Sequence, residues 1–449
     1  MTGRGRKSET GGYGQVYRNE AWARDREGAG FSHALEEAVL VGVGLPDDSA
    51  AAVDNSLDEL AELARTAGAH VVGRFRQRRT RLVGATYIGK GKLEQLVTFV
   101  EERRAGLVIF DNDLTPAQGR NLEKALRTKV VDRSELILHI FAIHARTDTA
   151  KLQVELAQLE YALPRLRRLW DHLSRLGGGI GTRGPGETQL EVDRRRVRER
   201  VDHLRKTLHK LDRSRAVQRK ARRNMARAAL VGYTNAGKST LLNRVSGAGV
   251  KTEDELFSTL DTTSRLVTLE GDYQVVVSDT VGFIRKLPHQ LVDSFRATLA
   301  EVREADLLIH VVDAANEDPE GQVGTVRAVL EELGAAEKPT LLVLNKEDRV
   351  EDPLVLNHLS NRFGRAIVIS ALRGDGVDVL LGALRDILAS MRRGVELLFP
   401  PGAGADMAMV YRVGEVLDRR MEGEGIRMTA RLPLPWVHRF EKKGFLLEP

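Results

Sequence analysis

The run Gly232-Tyr233-Thr234-Asn235-Ala236-Gly237-Lys238-Ser239 fits the pattern G-x-x-x-x-G-K-[ST], and no other feature restricts the fold of this chain so sharply. Such a run works only where a strand delivers the first glycine and a helix begins at the Lys-Ser pair. That turn aims several backbone N–H groups and a helix N-terminus at one phosphate chain. Both flanks are present: Ala228–Val231 reads as a strand, and a helical pattern starts near Ser239. The glycines then let backbone N–H groups face the α- and β-phosphates, Lys238 neutralises the β/γ oxygens, and the Ser239 hydroxyl ligates Mg²⁺. Further strands are expected at Gln274–Ser278, Leu307–Val312, Leu341–Leu344 and Ile367–Ile369. The fold class is therefore α/β, with a doubly wound P-loop domain over about 226–393.

Three later segments fall in the order such a site requires. Asp279-Thr280-Val281-Gly282 closes the second expected strand, where Asp279 is placed to hold the metal, through water, and the Gly282 N–H to reach a γ-phosphate. Asn345-Lys346-Glu347-Asp348 ends a later strand. A carboxylate such as Asp348 accepts two hydrogen bonds from guanine N1–H and N2–H₂, a donor pair that adenine lacks, so GTP and GDP are the expected ligands. Ser370-Ala371-Leu372 is placed to offer a backbone N–H to guanine O6. Between the phosphate loop and the second strand lies Phe257-Ser258-Thr259-Leu260-Asp261-Thr262-Thr263, where a threonine should complete the Mg²⁺ shell, and position alone leaves three threonines in competition. Lys238, Gly282 and one of these threonines are the candidate catalytic groups. Phe283 follows Gly282 where many GTPases carry a water-orienting glutamine; it has no hydrogen bond to offer, which predicts slow intrinsic hydrolysis completed by a partner.

The 449-residue chain has room for several domains. Boundaries are expected at 1–30 (a basic, glycine-rich disordered tail rather than a secretory signal), 31–148, 149–225, 226–393 and 394–449. In 31–148, β-rich runs (Val39–Val43, Val83–Ile88, Leu107–Phe110, Val130–Val131) alternate with helical stretches (Leu57–Ala67, Lys92–Arg103, Pro116–Leu126), implying a small α/β subdomain with a largely parallel sheet. Its Ile88-Gly89-Lys90-Gly91-Lys92 run is either a plain basic turn or a nucleotide or RNA contact. An amphipathic helix is expected from Lys151 to about Arg175, kinked at Pro164. A second, from Thr188 to Arg222, carries Val197, Leu204 and Leu211 seven apart with Val201 and Leu208 interleaved, a heptad seam that makes the pair an antiparallel helical hairpin. Its tip, Gly177–Gly186, reads as a connector or as a contact loop that uses Arg183. From Arg194 to Arg227 there are fifteen Lys/Arg against three acids, an excess of twelve where the whole chain carries +6. The basicity belongs to this arm. Beyond Pro400–Pro401, Ala408–Val413, Val416–Met421 and Ile426–Ala430 suggest a small α+β appendage. No apolar run approaches the ~20 residues of a membrane-spanning helix. The absence of cysteine excludes disulfides, Cys-ligated zinc and thiol chemistry.

Over about residues 38–393 the chain closely resembles the HflX family of ribosome-associated GTPases. The resemblance rests on Tyr87-Ile88-Gly89-Lys90-Gly91-Lys92, Asp132-Arg133-Ser134-Glu135-Leu136-Ile137-Leu138, Lys151-Leu152-Gln153-Val154-Glu155-Leu156-Ala157-Gln158-Leu159 and, above all, Gly177–Gln189. It implies an α/β subdomain plus helical hairpin ahead of a GTPase domain. It also implies binding to the large ribosomal subunit and its RNA, with the glycine-rich tip toward the peptidyl-transferase region, and splitting or rescue of stalled ribosomes. In the family's Phe-Ala-Thr-Leu-Asp-Pro motif the threonine binds Mg²⁺, which points to Thr259. Thr262 in place of proline, Thr147-Asp148-Thr149-Ala150 and Leu372 in place of lysine depart from the family pattern. The family has also been linked to ATP use and RNA unwinding by its amino-terminal region, for which Lys90 and Lys92 are the matching features here. The expected protein is a cytoplasmic monomer with neither DNA as a partner nor an integral membrane segment. A rival reading is an RNA-binding assembly or remodelling factor in which GTP or ATP sets affinity alone.

Overall fold

The computed structural model describes residues 36–165, 189–221, 226–247, 256–257, 263–270, 273–286, 299–364 and 366–447. The expected tail, the Gly177–Gly186 tip and the segment from Ser258 to Thr262 lie outside them.

The first sheet is built from β1 (Glu36–Gly44), β2 (Ala69–Arg78), β3 (Leu107–Phe110) and β4 (Lys129–Asp132), in the order β2-β1-β3-β4 and parallel throughout. Helices α1 (Ala50–Thr66), α2 (Lys90–Arg103) and α3 (Pro116–Leu126) make the crossovers. Local chemistry sets their starts. Ser49 caps α1 by accepting the Ala52 N–H at 3.0 Å, and Thr115 with Gln118 forms a capping box ahead of Pro116 at α3. The run expected as a strand at Val83–Ile88 is instead a tight turn closed by a Val83–Tyr87 bridge, with Tyr87 at φ 64°. The strand in that part of the chain is β2, an edge strand that exposes Arg74, Arg76 and Arg78 on one face.

Helix α4 (Arg133–His144) buries Leu136, Ile137, Leu138, Ile140 and Phe141, so it lacks the polar stripe of a surface helix. Helices α5 (Asp148–Ala162) and α6 (Gln189–Ala221) pack together. Val201, Leu204 and Leu208 sit against Leu152, Leu156 and Leu159, and Arg200 grips Glu155 with two hydrogen bonds of 2.7 and 2.8 Å. The 33 residues of α6 span roughly 50 Å.

The second sheet contains β5 (Ala226–Gly232), β6 (Ser264–Leu269), β7 (Tyr273–Asp279), β8 (Leu307–Asp313), β9 (Thr340–Asn345) and β10 (Ile367–Val368), in the order β10-β9-β8-β5-β7-β6. All pairings are parallel except that of β6, an antiparallel edge strand. Helices α7 (Lys238–Val245), α8 (Ala300–Glu304), α9 (Pro319–Glu332), α10 (Pro353–Phe363) and α11 (Val377–Ser390) complete a doubly wound α/β layer. One apolar core runs from the first sheet to the floor of the phosphate loop: Leu40, Leu60, Ile137 and Phe141 share it with Tyr233, Phe257, Phe283 and Ile284.

A third sheet of β11 (Arg392–Phe399), β12 (Glu415–Glu422) and β13 (Gly425–Pro433), antiparallel in the order β11-β13-β12, carries α12 (Gly404–Val413) and α13 (Leu434–Lys442). Its core includes Leu397, Phe399, Leu432, Trp436 and Phe440. Its first strand begins at Arg392, ahead of the boundary read at 393. Among the described residues no helix is long and apolar enough to cross a membrane.

Candidate nucleotide site

Strand β5 ends at Gly232 and α7 begins at Lys238, so the loop between them stands at the C-terminal edge of the sheet, beside the point where strand order reverses. Gly237 caps α7 with φ 90°, and a Cβ there would lie 2.2 Å from the Asn345 amide nitrogen; only glycine fits. Asn235 also takes a left-handed backbone, at φ 58°. The Lys238 ammonium donates to the carbonyls of Tyr233 at 2.8 Å and Gly232 at 3.2 Å. Burial pushes its pKa down to about 8, with Asp279 working against the shift and Lys346 adding to it. Such a lysine is underneutralised and gains from an arriving phosphate. The Ser239 hydroxyl donates to Asp279 at 2.6 Å. Thr280 anchors the strand end through its hydroxyl to Leu230 O at 2.6 Å, and Val281 is buried behind it.

At the opposite side of the loop, Asn345 joins three segments. Its amide donates to Ala236 O at 2.8 Å, and its side-chain carbonyl accepts the Ala371 N–H at 2.9 Å. The Ala371 N–H is thereby directed at Asn345. The Asp348 carboxylate accepts the Ser370 hydroxyl at 2.6 Å, and this bond is the main reason its pKa is held below the usual carboxylate range. Lys346, at φ 65°, pairs with Asp313 at 2.8 Å, while Glu347 is exposed and donates its N–H to Ile369 O at 3.2 Å. Leu372 is exposed, and its carbonyl accepts from Arg244, which also binds Ala371 O at 3.1 Å. Nothing in the sequence singles out Arg244; a lone arginine in a helix carries no signal of this role.

Phe257 is buried, donates its N–H to the Thr234 hydroxyl at 3.0 Å, and meets Phe141 of α4 edge-on at 4.6 Å. Ser258, Thr259, Leu260 and Asp261 lie outside the described residues. Phe283 is buried and hydrogen-bonded along its backbone to the phosphate loop, so its side chain belongs to the core.

The chain matches three family descriptions in succession: "GTP-binding GTPase N-terminal" over residues 54–142, "GTP-binding GTPase Middle Region" over 144–222 and "50S ribosome-binding GTPase" over 227–346. GTPase HflX of Caldanaerobacter subterraneus subsp. tengcongensis is 46% identical over 400 residues, 88% of this chain and 91% of that protein. The chain belongs to the HflX family. GTPase HflX of Escherichia coli K12 is 41% identical over 89% of this chain and 94% of its own length. A solved GTP-binding protein from Sulfolobus solfataricus, in complex with GDP, is 24% identical, covering 78% of this chain and 98% of that one, with a TM-score of 0.41. This HflX-family chain is a GTPase that acts on the ribosome.

Proposed function

We propose that the protein binds GTP and GDP with Mg²⁺ at the loop 232–239, associates with the large ribosomal subunit and splits or rescues ribosomes in its triphosphate-bound state, hydrolysis then resetting it. The observation that carries the guanine reading is the pairing of Asp348 with Ser370 beside an Asn345 that ties the base end of the site to the phosphate loop. The carboxylate is pre-aimed and stays ionised, as acceptance of two guanine donors demands. For the metal, Ser239 Oγ is a hard oxygen ligand of the kind Mg²⁺ selects, and Asp279 Oδ2, 2.6 Å from it, would hold the ion through water. They fit the ion, with Thr259 as the proposed additional ligand; bound there, it would neutralise phosphate charge. Lys238 neutralises the β/γ oxygens and the Gly282 N–H faces the γ-phosphate. Residues Gly232–Ser239 and Phe257–Asp261 wrap the phosphates, and Asn345–Asp348 with Ser370–Leu372 hold the base.

In this reading residues 31–148 and 149–225 are ribosome-facing parts, 226–393 hydrolyses the nucleotide, and α6 tracks ribosomal RNA with its exposed Arg198, Lys206, Lys210 and Arg213. The test is to mix the protein with intact 70S ribosomes and either GTP, a non-hydrolysable analogue or GDP, and to follow subunit dissociation by light scattering. Dissociation with the triphosphates and none with GDP is expected. Equal behaviour with all three would refute the splitting role.

A further inference from the structure

Tyr233 occupies the first variable position of the phosphate loop, yet its side chain turns out of the loop toward the first α/β unit. The ring is buried. Its hydroxyl accepts the Arg285 N–H at 2.8 Å and donates to the Glu59 carboxylate on α1. The other Glu59 oxygen binds the Arg133 guanidinium, which also meets Asp111 at 2.7 Å. Asp111 then accepts the Ser56 hydroxyl at 2.8 Å and the Lys286 ammonium. The ring of contacts leaves the segment after Gly282 at Arg285 and returns to it at Lys286, the next residue. Arg133 is only 1% exposed, and a guanidinium so withdrawn from water is stable only because two carboxylates face it. Burial, reinforced by Glu59, raises the Tyr233 hydroxyl well above its ordinary range, so it remains a donor at working pH.

This ring clamps Gly282–Lys286 onto the phosphate loop. The Thr234 N–H donates to Phe283 O at 2.7 Å and the Phe283 N–H to Gly232 O at 3.1 Å. Gly282 is pressed so close that a methyl group on it would lie 2.7 Å from the Thr234 Cα and 3.1 Å from the Lys238 nitrogen. Lys286 is held at φ 54°. A γ-phosphate accepting from both Lys238 and the Gly282 N–H has to lie between the lysine nitrogen and Gly282. In the clamped segment that side of Gly282 is packed against the loop and Lys238 donates to the loop's own carbonyls, whereas a diphosphate needs no group in that place.

We propose that Tyr233 is a specificity-determining residue for the GTP/GDP cycle: joined to Glu59, Arg133 and Asp111, its hydroxyl holds Gly282–Lys286 where a γ-phosphate must go. Triphosphate binding and docking of the first α/β unit therefore oppose each other, by the same factor in both directions. This rests on the reading that Gly282 faces the γ-phosphate. The substitution Tyr233→Phe, in the full-length chain, keeps the buried ring and deletes the hydroxyl. Affinities for GDP and for a non-hydrolysable GTP analogue are measured by displacement of a fluorescent nucleotide. The ratio of analogue affinity to GDP affinity is expected to rise about fivefold over wild type, the scale of one hydrogen bond. Lys286→Ala, which cuts the ring at its far end, is expected to move the ratio the same way. Binding of both nucleotides by wild type is the control that the site reading alone predicts, so its failure would count against the site. A folded Tyr233→Phe protein with the wild-type ratio overturns the clamp. If that variant shows no cooperative thermal transition, the ratio for Lys286→Ala decides by the same criterion.

Discussion

Replacing Asn345 with Ala tests whether one buried amide holds the two ends of the nucleotide site together. Asn345 is 2% exposed, and the change removes both of its bonds: the donation to Ala236 O at 2.8 Å and the acceptance from Ala371 N at 2.9 Å. One carbonyl and one N–H are left buried without those partners, at a cost of about 1–3 kcal/mol each. Their sum centres near 3–4 kcal/mol, since some relaxation toward water is available at the site mouth. For a domain of this size each kcal/mol lowers the melting temperature by about 2–4 °C, so a fall of roughly 6–15 °C is expected. The loss also uncouples the phosphate loop from the base-binding turn, and GDP affinity is expected to fall at least about tenfold, near 1.4 kcal/mol. Differential scanning fluorimetry with and without a fixed excess of GDP reads both effects, because nucleotide stabilises the folded state by RT ln(1 + [GDP]/Kd). A variant that melts within about 1 °C of wild type and keeps its GDP-induced shift would refute the reasoning.

Two further predictions concern the base and the arm. Asp348→Asn replaces an acceptor with a donor, so GTP affinity should drop and xanthosine triphosphate, whose base presents an acceptor in place of the amine, should become the better ligand; unchanged GTP binding in a competition assay would remove Asp348 from the base-reading role. Reversing Arg198, Lys206 and Lys210 on the exposed face of α6 should flatten the salt dependence of ribosome association by about 0.7–0.9 log units for each RNA phosphate no longer neutralised, with nucleotide binding unchanged, and a wild-type slope would show that the arm's charge serves solubility instead.

Much of this architecture is visible in residue order because local chemistry and global fold agree. Pro116–Leu126 announces itself by a threonine cap, a proline at the first helical position and an apolar stripe, and α3 occupies those residues. The seam Val197-Val201-Leu204-Leu208 carries its own period, and three of its members are buried against α5. Residue order misleads where burial pattern and element type diverge. Helix α4 is apolar almost all round, so no helical period stands out. β2 and β6 are edge strands whose exposed faces carry arginine, serine and threonine, which dilute the apolar signal. Val83–Ile88 is β-branched and aromatic in the manner of a strand, yet Tyr87 needs a left-handed backbone there, and a turn results.

The nucleotide site divides along the same line. Gly232–Ser239, Asp279–Gly282 and Asn345–Asp348 are contiguous motifs, each a strand end with a fixed task, so spacing exposes them. The contacts that join these motifs to one another and to the rest of the chain have no such spacing. Asn345 meets Ala236 across 109 residues, and Tyr233 meets Glu59 across 174. In sequence Glu59 is one acid on an amphipathic helix and Arg133 one cation after a strand, and both look like surface residues. Only the stacking of α1 and α4 in the shared core buries Arg133, half-buries Glu59 and turns them into a neutralised set beside the phosphate loop. A motif states which atoms can touch a phosphate. Which of them are held back from it depends on distant residues, and that dependence becomes legible only when the two sheets are in contact.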